Sequence, residues 1–138
     1  MIDPFDLTLK MTTVMAGNDV NNVAVEHGWY EPGKEKTFTE HIAMQMVELG
    51  EAINEYSKGH ALTEIYYVHG ITCLATHDEG PCSCPAGPKP EGVPIELADA
   101  YIRMLDCWTH FGIDVIEAAS IKHAYNKKRP YRHGNREI

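Results

Sequence analysis

Two acidic pairs give this 138-residue sequence its clearest chemical signal: Glu48-Leu-Gly-Glu51 and Glu96-Leu-Ala-Asp99. Successive helix residues turn by about 100°, so acids three positions apart lie within about 60° of each other on one face. Glu55 falls on the face of the first pair one turn further on, and Arg103 and Asp106 continue a strip beside the second. If the two helices pack side by side, four carboxylates converge. At about 4 Å two like charges repel by about 4 kcal/mol at an effective dielectric of 20, and that repulsion requires an answer. Mg²⁺, with Mn²⁺ as a substitute, supplies one, because hard cations prefer carboxylate and phosphate oxygens.

The complement lies near the end of the sequence. Lys122, Asn126 and Arg129 follow at steps of four and three, so they continue one helical face for as long as the helix lasts. Arg offers a two-pronged donor fork and Lys a point charge to phosphate oxygens, while Asn can ligate a metal or read a base edge. Arg132 and His133 lie beyond Pro130 and are weaker candidates to close over the same site. Trp29, Tyr125 and Tyr131 are candidates to stack on a nucleobase. The formal net charge of −8 argues against a nucleic-acid polymer as partner, since that requires a basic face. A single nucleotide remains compatible, provided divalent cations sit between the two sets of negative charge.

The elements that must position these residues are helical. Ile42, Met46, Leu49 and Ile53 form an apolar stripe on a helix expected from Thr39 to Tyr56, with Gly59 as its stop. That stripe is rotated away from the acids, so they are expected to border the core without belonging to it. A second helix is expected from Pro94 to Phe111, with Leu97, Tyr101, Met104, Leu105 and Trp108 on one side and Gly112 as terminator. A third starts at Asp114, where Asp114 and Glu117 have capping-box spacing, and runs to about Lys128. Phe5–Ala16 and Asp19–His27 read as two helical stretches broken or kinked near Gly17-Asn18. The length fits a single domain over 1–138.

Between about 59 and 92 the character changes, with Pro81, Pro85, Pro88 and Pro90 among glycines and cysteines. This is an insert or long loop, and periodicity leaves Leu62–Thr76 open between short helix and strand. Within it Cys73, His77, Cys82 and Cys84 offer four soft ligands for a structural Zn²⁺, although the C-x-C spacing is tighter than usual; free thiols in a reducing cytosol are the alternative. Cys107 reads as a small hydrophobe near the core. His27, His41, His60, His69, His110 and His123 show no spacing that points to catalysis. The opening MIDPFDLTLK carries acid where a signal peptide carries base, and no apolar run approaches the ~20 residues that span a bilayer, so the expectation is a cytoplasmic protein with no membrane partner.

Taken together, the residues resemble the MazG-like, all-α nucleoside triphosphate pyrophosphohydrolases, whose signature is E-x-x-E on one helix and E-x-x-D on the next. The likeness extends to Gly28-Trp29, to KPEGVPIELAD from Lys89 to Asp99, to Gly112-Ile113-Asp114, and to the ending from Lys122 through Tyr125-Asn126 to Arg129-Pro130-Tyr131-Arg132-His133-Gly134. It covers roughly Val20 to Asn135 apart from the insert. The resemblance implies an all-α, MazG-like helical bundle with a Cys/Pro/Gly-rich insert between the two metal-binding helices, working as a homodimer or dimer of dimers. It also implies Mg²⁺-dependent cleavage of a (d)NTP between its α- and β-phosphorus to (d)NMP and pyrophosphate. The separation of the motifs, Ala52 to Ile95, is longer than in compact members of the family and leaves substrate identity open.

The expected mechanism is attack of an activated water on phosphorus. Glu48, Glu51, Glu96 and Asp99 hold the metal, Glu51 or Glu48 doubles as general base, and Lys122 acts at the reacting phosphates beside the binding residues Asn126 and Arg129. Two rival readings make contrary demands on the sequence. A di-iron carboxylate bundle typically uses Glu-x-x-His, and none of the eight histidines has a Glu three positions before it. A helical interaction module that had lost activity would lack an acid of the quartet, and all four are present.

Overall fold

The computed structural model describes residues 5–71, 73 and 82–130. Among these the chain forms four helices and one small sheet: α1 (Leu7–Glu26), α2 (Phe38–Ser57), β1 (Tyr66–Val68), β2 (Lys89–Glu91), α3 (Val93–Phe111) and α4 (Val115–Lys127). They divide into two compact units. One comprises the described residues within Met1–Glu35 and Leu105–Ile138, the other those within Lys36–Met104.

In the first unit α1 is one unbroken helix of 20 residues, where the sequence predicted a break at Gly17-Asn18. Gly17 serves close packing instead. It is buried, and a Cβ there would meet the Thr109 hydroxyl at 2.3 Å and the Leu105 carbonyl oxygen at 3.5 Å, so the glycine lets α1 approach the end of α3. Asp6 caps α1 by accepting from the Leu9 N–H. Asp114 caps α4 by accepting from the Glu117 N–H, as their spacing predicted, and also pairs with Lys10 of α1. Phe5 meets His123 edge-on, with ring centroids 5.5 Å apart. Gly112, at positive φ, ends α3 as predicted, and the Ile113 N–H reaches back to the Trp108 carbonyl at 2.8 Å.

In the second unit α2 begins one residue before its predicted start, because Thr37 and Glu40 form a reciprocal capping box. The same helix overturns the expected facing. His41, Glu48, Ala52 and Glu55 are buried, whereas Ile42, Leu49, Met46 (67% exposed) and Ile53 (68% exposed) of the apolar stripe are not. Leu97 and Tyr101 of α3 are likewise exposed rather than on a buried side. Polar bonds explain which face turns inward: Arg103 of α3 bonds Glu48, and Tyr66 of β1 bonds Glu55. Glu48 and Glu55 therefore belong to the interior of this unit, while Glu51 stays exposed.

The insert contains the antiparallel pair β1–β2, with Tyr66 opposite Glu91, Tyr67 opposite Pro90 and Val68 opposite Lys89, so the chain is mostly helical rather than purely α. Pro90 is tolerated because each strand of a two-stranded sheet is an edge. Gly92 then links β2 to α3 at φ +118°. A Cβ there would lie 2.4 Å from the Glu64 carbonyl oxygen, so both backbone conformation and space demand glycine. No helix among the described residues is long and apolar enough to cross a membrane.

Candidate functional site

Within the second unit Glu48, Glu96 and Asp99 each offer a carboxylate oxygen, and these oxygens all lie within 4.8 Å of one another. Helix periodicity does this: Glu96 and Asp99 project from one side of the first turns of α3, and Glu48 from the inward face of α2. Glu48 and Glu96 are each only 5% exposed, and Asp99 is half-buried. Glu51, one turn after Glu48, is exposed yet near enough to Glu96 to share a side-chain hydrogen bond with it. The two sequence motifs therefore converge on a single cluster.

A fifth acid joins it. Glu91, at the end of β2, also shares a hydrogen bond with Glu96, and Lys89 pairs with Glu91 at 2.7 Å. Helical spacing could not have revealed Glu91, which reaches the cluster through the turn at Gly92; its place in KPEG just before the second motif was the only signal.

The electrostatics follow from this crowding. Burial, then the hydrogen bond that the protonated Glu96 donates to Glu91 and the charge of Glu51, push the Glu96 carboxyl up to about 7. Asp99 is raised by burial and by the charge of Glu48, while Arg103 and Lys89 oppose the rise. Arg103, bonded through Nε to Glu48, answers part of the repulsion that the sequence left wholly to metal. Five acids against Arg103 and Lys89 still leave an excess of negative charge. All the donors are hard oxygens, the ligand type that hard divalent cations prefer, and Glu48, Glu96 and Asp99 could hold a metal ion.

Glu55 is sorted away from this cluster. Its oxygens accept from Lys58 Nζ and the Tyr66 hydroxyl, each at 2.7 Å, and these bonds hold its carboxyl below the usual range while raising the Tyr66 phenol to about 12. Glu55 thus ties α2 to β1. Asp106 belongs to the first unit, where it accepts from Asn21 Nδ2 at 2.8 Å and from the Tyr30 hydroxyl at 2.6 Å.

The basic candidates lie in the first unit. The Lys122 ammonium and the Arg129 guanidinium sit 5.1 Å and 5.9 Å from the centre of the Tyr125 ring, so three predicted binding residues gather at the end of α4. Asn126 is exposed on the same helix, and Trp29 is 56% exposed just after α1. Tyr131, Arg132 and His133 lie outside the described residues. A cavity of about 260 Å³ in this unit runs between α1, the end of α3 and the start of α4, and none of the metal-site acids lines it.

The insert brings together a second cluster that could hold a metal: His69, Cys73, Cys82 and Cys84. Three of the four predicted ligands are present. The fourth place is taken by His69, which the sequence reading set aside, while His77 lies outside the described residues. His69 immediately follows β1 and stands four residues before Cys73, a spacing that could have singled it out. Cys107 is 1% exposed, as a core residue should be.

Compared with known proteins, the chain matches no family model, no curated protein and no solved structure.

Proposed function

We propose that this chain is a Mg²⁺-dependent nucleoside triphosphate pyrophosphohydrolase with a MazG-like helical bundle, cleaving (d)NTP to (d)NMP and pyrophosphate. The observation that carries the reading is the buried convergence of Glu48, Glu96 and Asp99, joined by Glu51 and Glu91. Acids that served only for solubility would be solvated and apart. Of the two metals in the reading, magnesium belongs to this oxygen cluster and zinc to the sulfur and nitrogen cluster of the insert.

When bound, Mg²⁺ supplies Lewis-acid neutralisation of the phosphate oxygens. The remaining work falls to the protein. Glu48, Glu96 and Asp99 fix the position of the reacting group, and Arg103 keeps the Glu48 carboxylate aimed by bonding one of its oxygens. Glu51 is the better candidate for general base, because its exposure lets it meet a water, whereas Glu48 is buried and engaged with Arg103. The assignment of Lys122, Asn126 and Arg129 to phosphate, and of Trp29, Tyr125 and Tyr131 to the base, rests on the resemblance.

Product identity tests the reaction. Incubation with a panel of NTPs and dNTPs and Mg²⁺, resolved by chromatography, should give monophosphate and pyrophosphate. Diphosphate with free phosphate as primary products would overturn it.

The reading includes self-association. Phe38, Ile42, Met46, Leu49, Ile53 and Tyr56 recur at steps of four and three along α2 and are all exposed in the single chain, an apolar stripe that a homodimer or dimer of dimers would cover. Light scattering should give at least twice the chain mass. A monomer at micromolar concentration with full activity would contradict this part.

A further inference from the structure

The geometry points to a structural zinc site in which His69 Nδ1 and the Sγ atoms of Cys73, Cys82 and Cys84 clip together the segment joining β1 to β2. It is independent of the reaction proposed above.

Four observations carry it. The first is the size of the cluster. A tetrahedral zinc ion with bonds of about 2.3 Å to sulfur and about 2.1 Å to nitrogen sets its ligand atoms about 3.5–3.8 Å apart. Here Cys73 Sγ and Cys82 Sγ are 3.8 Å apart, and His69 Nδ1 is 3.4 Å, 3.3 Å and 4.0 Å from the sulfurs of Cys73, Cys82 and Cys84. These are close to the edges of a coordination tetrahedron. A disulfide would bring two sulfurs to about 2.05 Å, far closer than the 3.8 Å between Cys73 and Cys82.

The second is ligand type. Three thiols and an imidazole select zinc over the hard ions that suit the carboxylate cluster. Each thiol gives up its proton as its bond to zinc forms, so loading releases up to three protons to solvent. Four protein ligands leave no open position, which marks the site as structural rather than catalytic.

The third is the surrounding shell. The Gly70 N–H donates to Cys84 Sγ at 3.3 Å and the Cys84 N–H to Cys82 Sγ at 3.4 Å, as backbone donors do where sulfur carries charge. The second of these bonds folds the short C-x-C step back on itself, so the tight spacing is workable.

The fourth is location. His69 directly follows β1, and Cys84 stands five residues before β2. A metal here joins the two ends of the connection and holds the register that sets Tyr66 opposite Glu91.

The test uses the full-length protein, purified in reductant and passed over a chelating resin to strip loosely held ions. Elemental analysis should find one zinc per chain. Replacement by Co²⁺ should produce the intense visible bands of a tetrahedral thiolate site. His69→Ala and Cys82→Ser should each abolish these bands and lower zinc content, His77→Ala should leave both unchanged, and His69→Cys should retain metal with bands moved toward an all-sulfur site. Because the cobalt spectrum is read first on the wild-type chain, a misfolded variant cannot imitate success. Only trace zinc with no tetrahedral cobalt spectrum, or metal lost from His77→Ala and kept in His69→Ala, would overturn the assignment.

Discussion

Asp99→Asn and Glu51→Gln should each lower Mg²⁺-dependent triphosphate hydrolysis roughly 10²–10³-fold, the usual loss when one preorganised electrostatic group is removed from a site. Both substitutions keep the shape of the side chain and discard a negative charge. Asp99 loses a ligand oxygen in a cluster whose three oxygens lie within 4.8 Å, and Glu51 loses its capacity to take a proton from water. The loss should appear in kcat for Glu51→Gln, because an amide still hydrogen-bonds but cannot act as base. For Asp99→Asn it should appear also in the Mg²⁺ concentration giving half-maximal rate. Glu117→Gln, at the exposed start of α4, is the control and should hydrolyse at the wild-type rate. Wild-type rates in both site variants would reduce the cluster to surface acidity.

The second large effect is on stability. Glu96 has an ordinary value of 4.5 and is pushed up to about 7 in the folded chain, by burial first and then by Glu91 and Glu51. Below pH 4.5 it is protonated in both states and makes no difference. Between 4.5 and 7 the unfolded chain releases this proton while the folded chain keeps it, so unfolding is progressively favoured; above 7 the penalty is fully present. The full shift corresponds to about 3 kcal/mol, reduced to about 2 kcal/mol by solvent reaching the exposed Glu51. In EDTA the wild-type protein should therefore lose about 2 kcal/mol of this contribution between pH 5 and pH 8. Glu96→Gln should remove it, unfolding like wild type at pH 5 and at higher denaturant concentration at pH 8. Equal denaturation midpoints for the two proteins at pH 8 would contradict the burial of an uncompensated carboxyl.

What the sequence made legible was whatever depends on spacing along one helix. The pairs Glu48/Glu51 and Glu96/Asp99, the stops at Gly59 and Gly112 and the cap at Asp114 are all local, and each can be read from residues a turn apart. The facing of α2 was not legible, because its apolar stripe and its acidic face compete for the interior. The winner is fixed by distant partners, Arg103 for Glu48 and Tyr66 for Glu55. Gly17 read as a breaker because its reason, the Thr109 side chain, lies 92 positions away. Glu91 and His69 escaped notice for a related cause: Glu91 ends β2 and His69 immediately follows β1, so the place of each depends on where a short strand stops. The Cys-rich insert was recognisable from composition, but the identity of its histidine depended on where β1 ends.

The central claim is that a divalent cation binds these carboxylates in the folded chain, and the most direct measurement is the melting temperature with and without Mg²⁺ for wild type, Glu51→Gln and Asp99→Asn. A ligand that binds only the folded state stabilises it by RT ln(1 + [L]/Kd), so Mg²⁺ should raise the wild-type melting temperature. In metal-free buffer the two variants should melt no lower than wild type, since each relieves repulsion among crowded acids. Their increase on adding Mg²⁺ should be smaller. A wild-type melting temperature unmoved by millimolar Mg²⁺ or Mn²⁺, or an increase of the same size in all three proteins, would contradict the account.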